Sequence, residues 1–179
     1  MTAGYRNIRL DLCDGLATLT IDRPAVRNAL DRATADEMSA ALDQLRGDDS
    51  IRVLVITGGG DKVFVSGADI SQFEDQRAAK DAVTHYEALA EEALMAIYTS
   101  PKPTLACIRG WCIGGGVNVA ISCDIRIAAS DAVFAIPAAR LGLGYRYSAL
   151  KNLVDLIGVG AAKDLFYTAR RIDAAEAQR

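Results

Sequence analysis

Histidine and cysteine are scarce in this sequence, and their scarcity excludes two kinds of site. The chain has one histidine and four cysteines among 179 residues. A zinc site built from a cluster of histidines is therefore excluded, and we predict no metal site. His85 lies in a polar helical segment, and no G-x-S-x-G sequence is present to supply a hydrolase nucleophile. The cysteines Cys13, Cys107, Cys112 and Cys123 form no C-x-x-C pair, which favours free thiols in a reducing cytoplasm.

The sequence also lacks an excess of positive charge and a long apolar run. Its net charge is −3 and its isoelectric point about 5.2, which argues against a nucleic-acid partner. No apolar run approaches the roughly 18 to 20 residues that a membrane helix requires. The N-terminus does not have the charged-then-apolar pattern of a signal peptide. With 51% hydrophobic residues, the chain is expected to form one packed cytoplasmic domain without a membrane partner.

Strand and helix patterns alternate along the chain. Residues 7–12 and 16–21 flank Asp14-Gly15, which predicts a hairpin. Asp31 as N-cap and Gly47 as stop delimit a helix over 31–46. Further buried strands are predicted at 51–60, 104–110, 124–130 and 132–136, and further helices at 71–99, 115–122, 148–157 and 160–168. This order predicts an α/β fold built from right-handed crossovers, and a structural repeat of β-β-α units is compatible with it.

Two strand-to-helix loops present small residues: DKVFVSGADI at 61–70 and GWCIGGGVN at 110–118. Backbone N–H groups at a helix start are free, and the helix dipole is positive there. Two such groups aimed at one point would form an oxyanion hole. A phosphate-binding loop is the first alternative, but TGGGDK lacks the Gly-Lys-Ser/Thr order and IGGGVN lacks the G-x-G-x-x-G spacing. Close packing of a helix on a strand is the second alternative for the glycines.

Three segments, in this order, resemble the enoyl-CoA hydratase/isomerase family, also called the crotonase superfamily. They are DRPAVRNAL (22–30), FVSGADI (64–70) and GWCIGGGVNVAISCDIRIAASDAVFAIPAARLGLG (110–144). The resemblance implies the crotonase-like spiral of β-β-α units. It also implies binding of an acyl-CoA thioester and stabilisation of the enolate that forms from it. No cofactor is implied, since coenzyme A is part of the substrate.

The resemblance assigns roles to residues in all three segments. Two backbone N–H groups of the oxyanion hole fall on Ala68 and Gly115, which are candidate catalytic residues. The expected coenzyme A contacts and substrate-binding positions are Arg23, Val26, Asn28, Ser66, Asp69, Ile70 and Gly116. For Arg23 the alternative is a solvated turn. For Asp69 it is an N-cap to a helix starting near Ser71.

Both glutamates of the family's hydratases are absent. Those glutamates hold and protonate a water molecule; here Asn118 stands at the first position and Ala138 at the second. Neither side chain titrates, so general acid–base hydration is weakened as a hypothesis. The isomerase variant, which keeps only the second glutamate, is weakened as well.

A decarboxylase-like reaction is the first specific hypothesis for such a site. Tyr145 stands where the branch acting on methylmalonyl-CoA has a tyrosine, although that branch has a histidine where this chain has Ala68. Loss of CO₂ generates an enolate without a general base, so an oxyanion hole with Asn118 and Tyr145 suffices. Arg140 is the candidate for binding a substrate carboxylate, with an outward salt bridge as its alternative. A core or interface role is the alternative for Tyr145.

The family resemblance also raises a question of length and assembly. Family members usually continue with further helices that close the acyl pocket and pack between subunits. Residues 1–179 are thus expected to form an acyl-CoA-binding core without the C-terminal helical segment. The resemblance implies a homotrimer or hexamer when that segment is present. The alternative function is a non-catalytic acyl-CoA binder or an inactive truncated paralogue.

Overall fold

The computed structural model describes residues 4–69 and 80–179. The strands are β1 (Ile8–Cys13), β2 (Leu16–Ile21), β3 (Val53–Gly58), β4 (Val63–Val65), β5 (Thr104–Ile108), β6 (Trp111–Ile113), β7 (Ile125–Ala128), β8 (Val133–Ala135) and β9 (Arg171–Asp173). The α-helices are α1 (Arg32–Arg46), α2 (Lys80–Tyr98), α3 (Gly115–Ser122), α4 (Tyr147–Thr168) and α5 (Ala174–Gln178). Within the described residues, 3₁₀ turns cover Pro24–Val26 and Pro137–Leu141.

The predicted hairpin is confirmed. β1 and β2 pair antiparallel, from Ile8 opposite Ile21 to Cys13 opposite Leu16. Asp14 and Gly15 both have positive φ, at 49° and 83°. A two-residue turn of that kind matches the right-handed twist of the flanking strands.

From β3 to β8, successive strands alternate between two sheets, and β9 then pairs antiparallel with β8. One sheet has the order β1-β2-β3-β5-β7 and the other β4-β6-β8-β9. The pairs β2–β3, β3–β5, β5–β7, β4–β6 and β6–β8 are all parallel. Each β-β-α unit thus adds one strand to each sheet, which confirms the predicted α/β class and the repeat of units. The short strands β4 and β6 lie in segments predicted as loops, because three residues are too few to show a period.

Helix boundaries follow the local signals closely. The carboxylate of Asp31 accepts a hydrogen bond from Thr34 N at 2.8 Å and caps α1, which ends at Arg46 before Gly47. The helix predicted over 115–122 is α3. Gly158, with φ 79° and ψ 160°, interrupts α4 as predicted. Residues 80–98 of the helix predicted over 71–99 are helical, and its first residues lie outside the described part of the chain.

The core lies between the larger sheet and the helices. Leu19, Ile56 and Ile108, on neighbouring parallel strands, are at most 1% exposed. Met38 of α1 is 2% exposed and belongs to the same cluster. α1 packs on α2, and α3 packs on both α2 and α4. Within the described residues, no helix is long and apolar enough to cross a membrane.

Candidate active site

The three glycines at the start of α3 serve three different needs. Gly114 has φ 54° and ψ −111°, which an L side chain rarely adopts, and its N–H bonds to Ala135 O at 2.9 Å. Gly116 packs on β4: a Cβ there would lie 2.3 Å from Val65 O. Gly115 lies against the other loop, where a Cβ would lie 3.6 Å from Ala68 N. The packing interpretation therefore fits Gly116, whereas Gly115 brings two backbone segments together.

The backbone N–H of Ala68 points away from its neighbouring segment. Ala68 forms an isolated parallel bridge with Leu30. Leu30 N donates to Gly67 O and Asp69 N donates to Leu30 O, each at 2.8 Å. Because hydrogen bonds of an extended segment alternate in direction, the N–H of Ala68 faces the opposite side, where Gly115 lies.

The N–H of Gly115 is free for a different reason. Gly115 is the first residue of α3, so its N–H has no partner within the helix. In the described part of the chain, neither the Ala68 N–H nor the Gly115 N–H has a hydrogen-bond acceptor. A Cβ built at Gly67 would lie 3.6 Å from Gly115 N. The two loops therefore bring two unsatisfied donors close together.

Both donors lie at a cavity of about 310 Å³. Its wall is mostly apolar, from Leu30, Met38, Leu94, Ile113, Val119, Ile121, Leu141 and Leu143. Polar side chains at the wall are those of Ser66, Glu91, Asn118, Ser122, Tyr145, Arg146, Ser148 and Asn152. A concave apolar site with a few convergent polar groups is typical of small-molecule binding.

Tyr145 reaches the cavity beside the glycine loop. A Cβ built at Gly114 would lie 3.5 Å from its hydroxyl oxygen. Its ring packs edge-on against Phe166, with ring centroids 5.2 Å apart. Burial raises the pKa of Tyr145 to about 12, because the charged phenolate is disfavoured away from water. The hydroxyl therefore stays protonated at neutral pH and can donate a hydrogen bond into the cavity.

Asn118 and Ala138 both line the cavity, so the structure brings together the two positions where glutamates are absent. Asn118 lies on α3 one turn after Gly115 and is half-buried. Ala138 lies in the turn Pro137–Leu141 and is 3% exposed. Neither residue brings a titratable group to the cavity.

The first predicted coenzyme segment is tied into the fold. Asn28 is 0% exposed, and its amide donates to Gly59 O at 2.9 Å and Val63 O at 2.8 Å. Its side-chain oxygen accepts from Arg23 N at 3.0 Å. Val26 in the adjoining turn is exposed. The side chain of Asn28 thus braces the turn, and Val26 is the predicted contact residue left on the surface.

The remaining predicted site residues are divided between the cavity and the surface. Ser66 lines the cavity next to Gly67 and Ala68. Arg140 is exposed and is absent from the cavity wall. Asp69 is half-buried, and Ile70 lies outside the described residues. Their binding roles stay predictions.

The sequence analysis missed a charged group at the cavity wall. Glu91 of α2 accepts hydrogen bonds from Ser148 Oγ at 2.8 Å and from the guanidinium of Arg146. These hydrogen bonds, first that of Ser148 and then that of Arg146, lower the pKa of the Glu91 carboxyl. The sequence contains only a weak indication that Glu91 lies at the site. Its helical spacing from Leu94 and Met95 places all three residues on the face toward the cavity. Among the described residues, no group of histidine, cysteine and carboxylate side chains suits a metal ion.

Comparison with known proteins agrees with this architecture. The family model for enoyl-CoA hydratase/isomerase matches residues 12–179. A crotonyl-CoA hydratase of Syntrophomonas wolfei is 41% identical over 175 residues, covering 98% of this chain and 66% of that protein. A short-chain-enoyl-CoA hydratase of Clostridium acetobutylicum is 35% identical over 173 residues, covering 97% of this chain and 66% of that protein. The chain therefore spans about two thirds of the length of these curated relatives.

Solved structures show the same fold. A putative enoyl-CoA hydratase/isomerase family protein from Hyphomonas neptunium superposes with a TM-score of 0.93 at 35% identity, covering 97% of this chain and 66% of that one. An enoyl-CoA hydratase/carnithine racemase from Magnetospirillum magneticum gives 0.94 at 32% identity, covering 99% and 66%. The predicted crotonase-like fold is confirmed. By its sequence and its fold, the chain belongs to the enoyl-CoA hydratase/isomerase family.

Proposed function

We propose that this chain binds an acyl-CoA thioester and stabilises its enolate in an oxyanion hole formed by Ala68 N–H and Gly115 N–H. The thioester oxygen would accept both hydrogen bonds. The proposal is supported by two donors without an acceptor among the described residues, facing one apolar cavity. Such donors stabilise negative charge that develops on oxygen more than they stabilise the neutral carbonyl. No cofactor beyond the coenzyme A of the substrate is proposed.

The reaction we favour is decarboxylation of a malonyl-type thioester rather than hydration. The bond between the α-carbon and the carboxylate breaks, CO₂ leaves, and the electron pair forms the enolate whose oxygen lies in the hole. A proton then adds to the α-carbon. No general base is needed for bond cleavage, which suits a cavity with Asn118 and Ala138 in place of carboxylates. The Tyr145 hydroxyl would donate a hydrogen bond to the reacting group.

The position of Tyr145 is the observation that carries this proposal. Its protonated hydroxyl lies beside Gly114, in the wall that also contains Ala68 and Gly115. A tyrosine with a pKa near its ordinary value of 10.0 would begin to lose its proton in mildly alkaline solution. With the pKa raised to about 12, the donor persists well above pH 10.0.

Replacement of Tyr145 by phenylalanine tests the proposal. We expect loss of CO₂ from malonyl-, methylmalonyl- or ethylmalonyl-CoA with the wild-type protein, and about 10²-fold slower turnover with Tyr145→Phe. Mass spectrometry of the acyl-CoA products measures both. The wild-type rate should show no tyrosine titration near pH 10, because the raised pKa keeps the hydroxyl protonated. Tyr147→Phe is the matched control, since Tyr147 is 80% exposed.

Turnover of crotonyl-CoA in the same panel would instead mean that hydration proceeds without the two glutamates. The second candidate function, a non-catalytic acyl-CoA binder, is favoured by the lack of titratable groups at positions 118 and 138. Binding of coenzyme A thioesters without turnover of any of them would establish it. Failure to bind any thioester would contradict both proposals.

We also propose assembly of the protein into a cytoplasmic homotrimer or hexamer. Exposed apolar side chains of α4, among them Leu156, Val159 and Tyr167, support a protein partner for this surface. Sedimentation equilibrium of the purified protein should give three or six times the chain mass of 19.1 kDa. A monomer at all concentrations would contradict the assembly.

A further inference from the structure

Arg23 contacts three acceptors in two segments of the chain, around residue 30 and at residue 69. Its guanidinium lies 2.8 Å from Asp31 Oδ2 and 3.2 Å from Asp69 Oδ2. It also donates to the carbonyl oxygen of Ala29. The side chains of Arg23, Asp31 and Asp69 are 15%, 8% and 12% exposed, so the ion pairs are largely shielded from water.

This cluster is connected directly to the proposed oxyanion donor. Asp69 follows Ala68 in the chain, and Asp31 follows Leu30. Leu30 and Ala68 form the isolated bridge, so the two carboxylates extend the contact between the same two segments. The guanidinium therefore links the two segments immediately after the bridge, where Asp31 and Asp69 lie on adjacent stretches of the chain.

We propose that Arg23 is a positioning residue that fixes the Ala68 N–H toward the Gly115 loop, and not a coenzyme contact. The proposal rests on the proposed oxyanion hole. Two carboxylates outweigh the single positive charge of Arg23, so the cluster has no surplus charge to attract a phosphate. Arg27, four residues later, is exposed and is the cation of this segment that can meet solvent anions.

Enolisation of acetoacetyl-CoA measures the positioning separately from coenzyme binding. The oxyanion hole should raise the enolate fraction of this ligand, which is read by its ultraviolet absorbance at saturation. Arg23→Lys keeps the charge, but one ammonium cannot span three acceptors arranged for a planar guanidinium. We expect the enolisation constant to fall about 10- to 100-fold, in line with the cost of a misplaced group.

Free coenzyme A binding provides the contrast. We expect its dissociation constant to stay within about twofold of wild type in Arg23→Lys, because the arginine makes no coenzyme contact. Asp69→Asn should share the loss of enolisation, which covers the case that Arg23→Lys does not fold. Arg27→Lys is the control, expected to keep the wild-type enolisation constant. Weaker coenzyme A binding with an unchanged enolisation constant in Arg23→Lys would overturn the proposal.

Amide hydrogen exchange at Leu30 and Asp69 separates this proposal from the proposed function. Both N–H groups form the bridge at Ala68. If the wild-type protein produces no enolate, the oxyanion hole is contradicted. Exchange at Leu30 and Asp69 that is faster in Arg23→Lys than in wild type would still support the restraint by Arg23. Unchanged exchange would overturn it.

Discussion

Replacing Gly115 by alanine is expected to lower turnover about 10²- to 10³-fold without unfolding the protein. The new methyl group would lie 3.6 Å from Ala68 N and 3.5 Å from Gly67 Cα, at ordinary contact distances within the protein. It would, however, occupy the space in front of the Ala68 N–H where the substrate oxygen must lie. Gly115 has no positive φ, so alanine is tolerated by the backbone. Steady-state kinetics with a turned-over thioester, together with thermal melting, measure both effects.

Gly116→Ala is the control for this prediction, since it adds the same methyl group one residue later. Its Cβ would lie 2.3 Å from Val65 O and 2.9 Å from Val65 Cβ. Because Val65 O is a backbone atom, this steric clash can be relieved only by a shift of the main chain. We expect a loss of about 1–3 kcal/mol in the free energy of unfolding from this overpacking. Equal destabilisation of both variants, or full activity of Gly115→Ala, would contradict the assignment of the oxyanion site.

Introducing both glutamates should create hydratase activity. Asn118→Glu and Ala138→Glu together would place two carboxyls at one cavity, where a water molecule can lie between them. Burial at position 138, where Ala138 is 3% exposed, should raise the pKa of the new carboxyl and suit it to donate a proton. Each general acid or base contributes about 10²–10⁴ in rate, so each single variant should be at least 10²-fold slower than the double variant. Hydration of crotonyl-CoA, followed by loss of the conjugated thioester absorbance, measures it.

The control for this gain of function is the pair Asn118→Gln and Ala138→Gln. Glutamine has the size of glutamate but does not titrate, so the double glutamine variant should remain inactive toward crotonyl-CoA. If the wild-type chain hydrates crotonyl-CoA as fast as the double glutamate variant, the significance given to Asn118 and Ala138 is wrong.

Local signals explain what the sequence predicted correctly about the fold. Asp31 caps α1 by accepting a hydrogen bond from Thr34, three residues later. The positive φ angles of Asp14 and Gly15 form the turn of the hairpin. Gly158 interrupts α4 at its own position. In each case, the cause and the effect lie within a few residues. β9 (Arg171–Asp173) was missed because its pairing with β8 depends on residues far away in the chain.

The sequence predicted only those residues of the candidate site that lie within a recognisable motif. The two loops with Ala68 and Gly115 were identified by resemblance, and the structure places both at one cavity. The partners of Arg23 were not predicted, because Asp31 and Asp69 come near it only after the chain has folded. Similarly, no local pattern distinguishes Arg140, which is absent from the cavity wall, from Arg146, which lines it.

The alternation of strands between two sheets has a kinetic consequence. The hairpin of β1 and β2 closes a short loop, whereas α2 and β5 separate β4 from β6 in the chain. Ala68 and Gly115 lie just beyond those two strands, so their approach needs a long-range pairing that forms slowly. A ligand bridging both N–H groups would hold β4 and β6 together. It should therefore slow unfolding much more than it speeds folding.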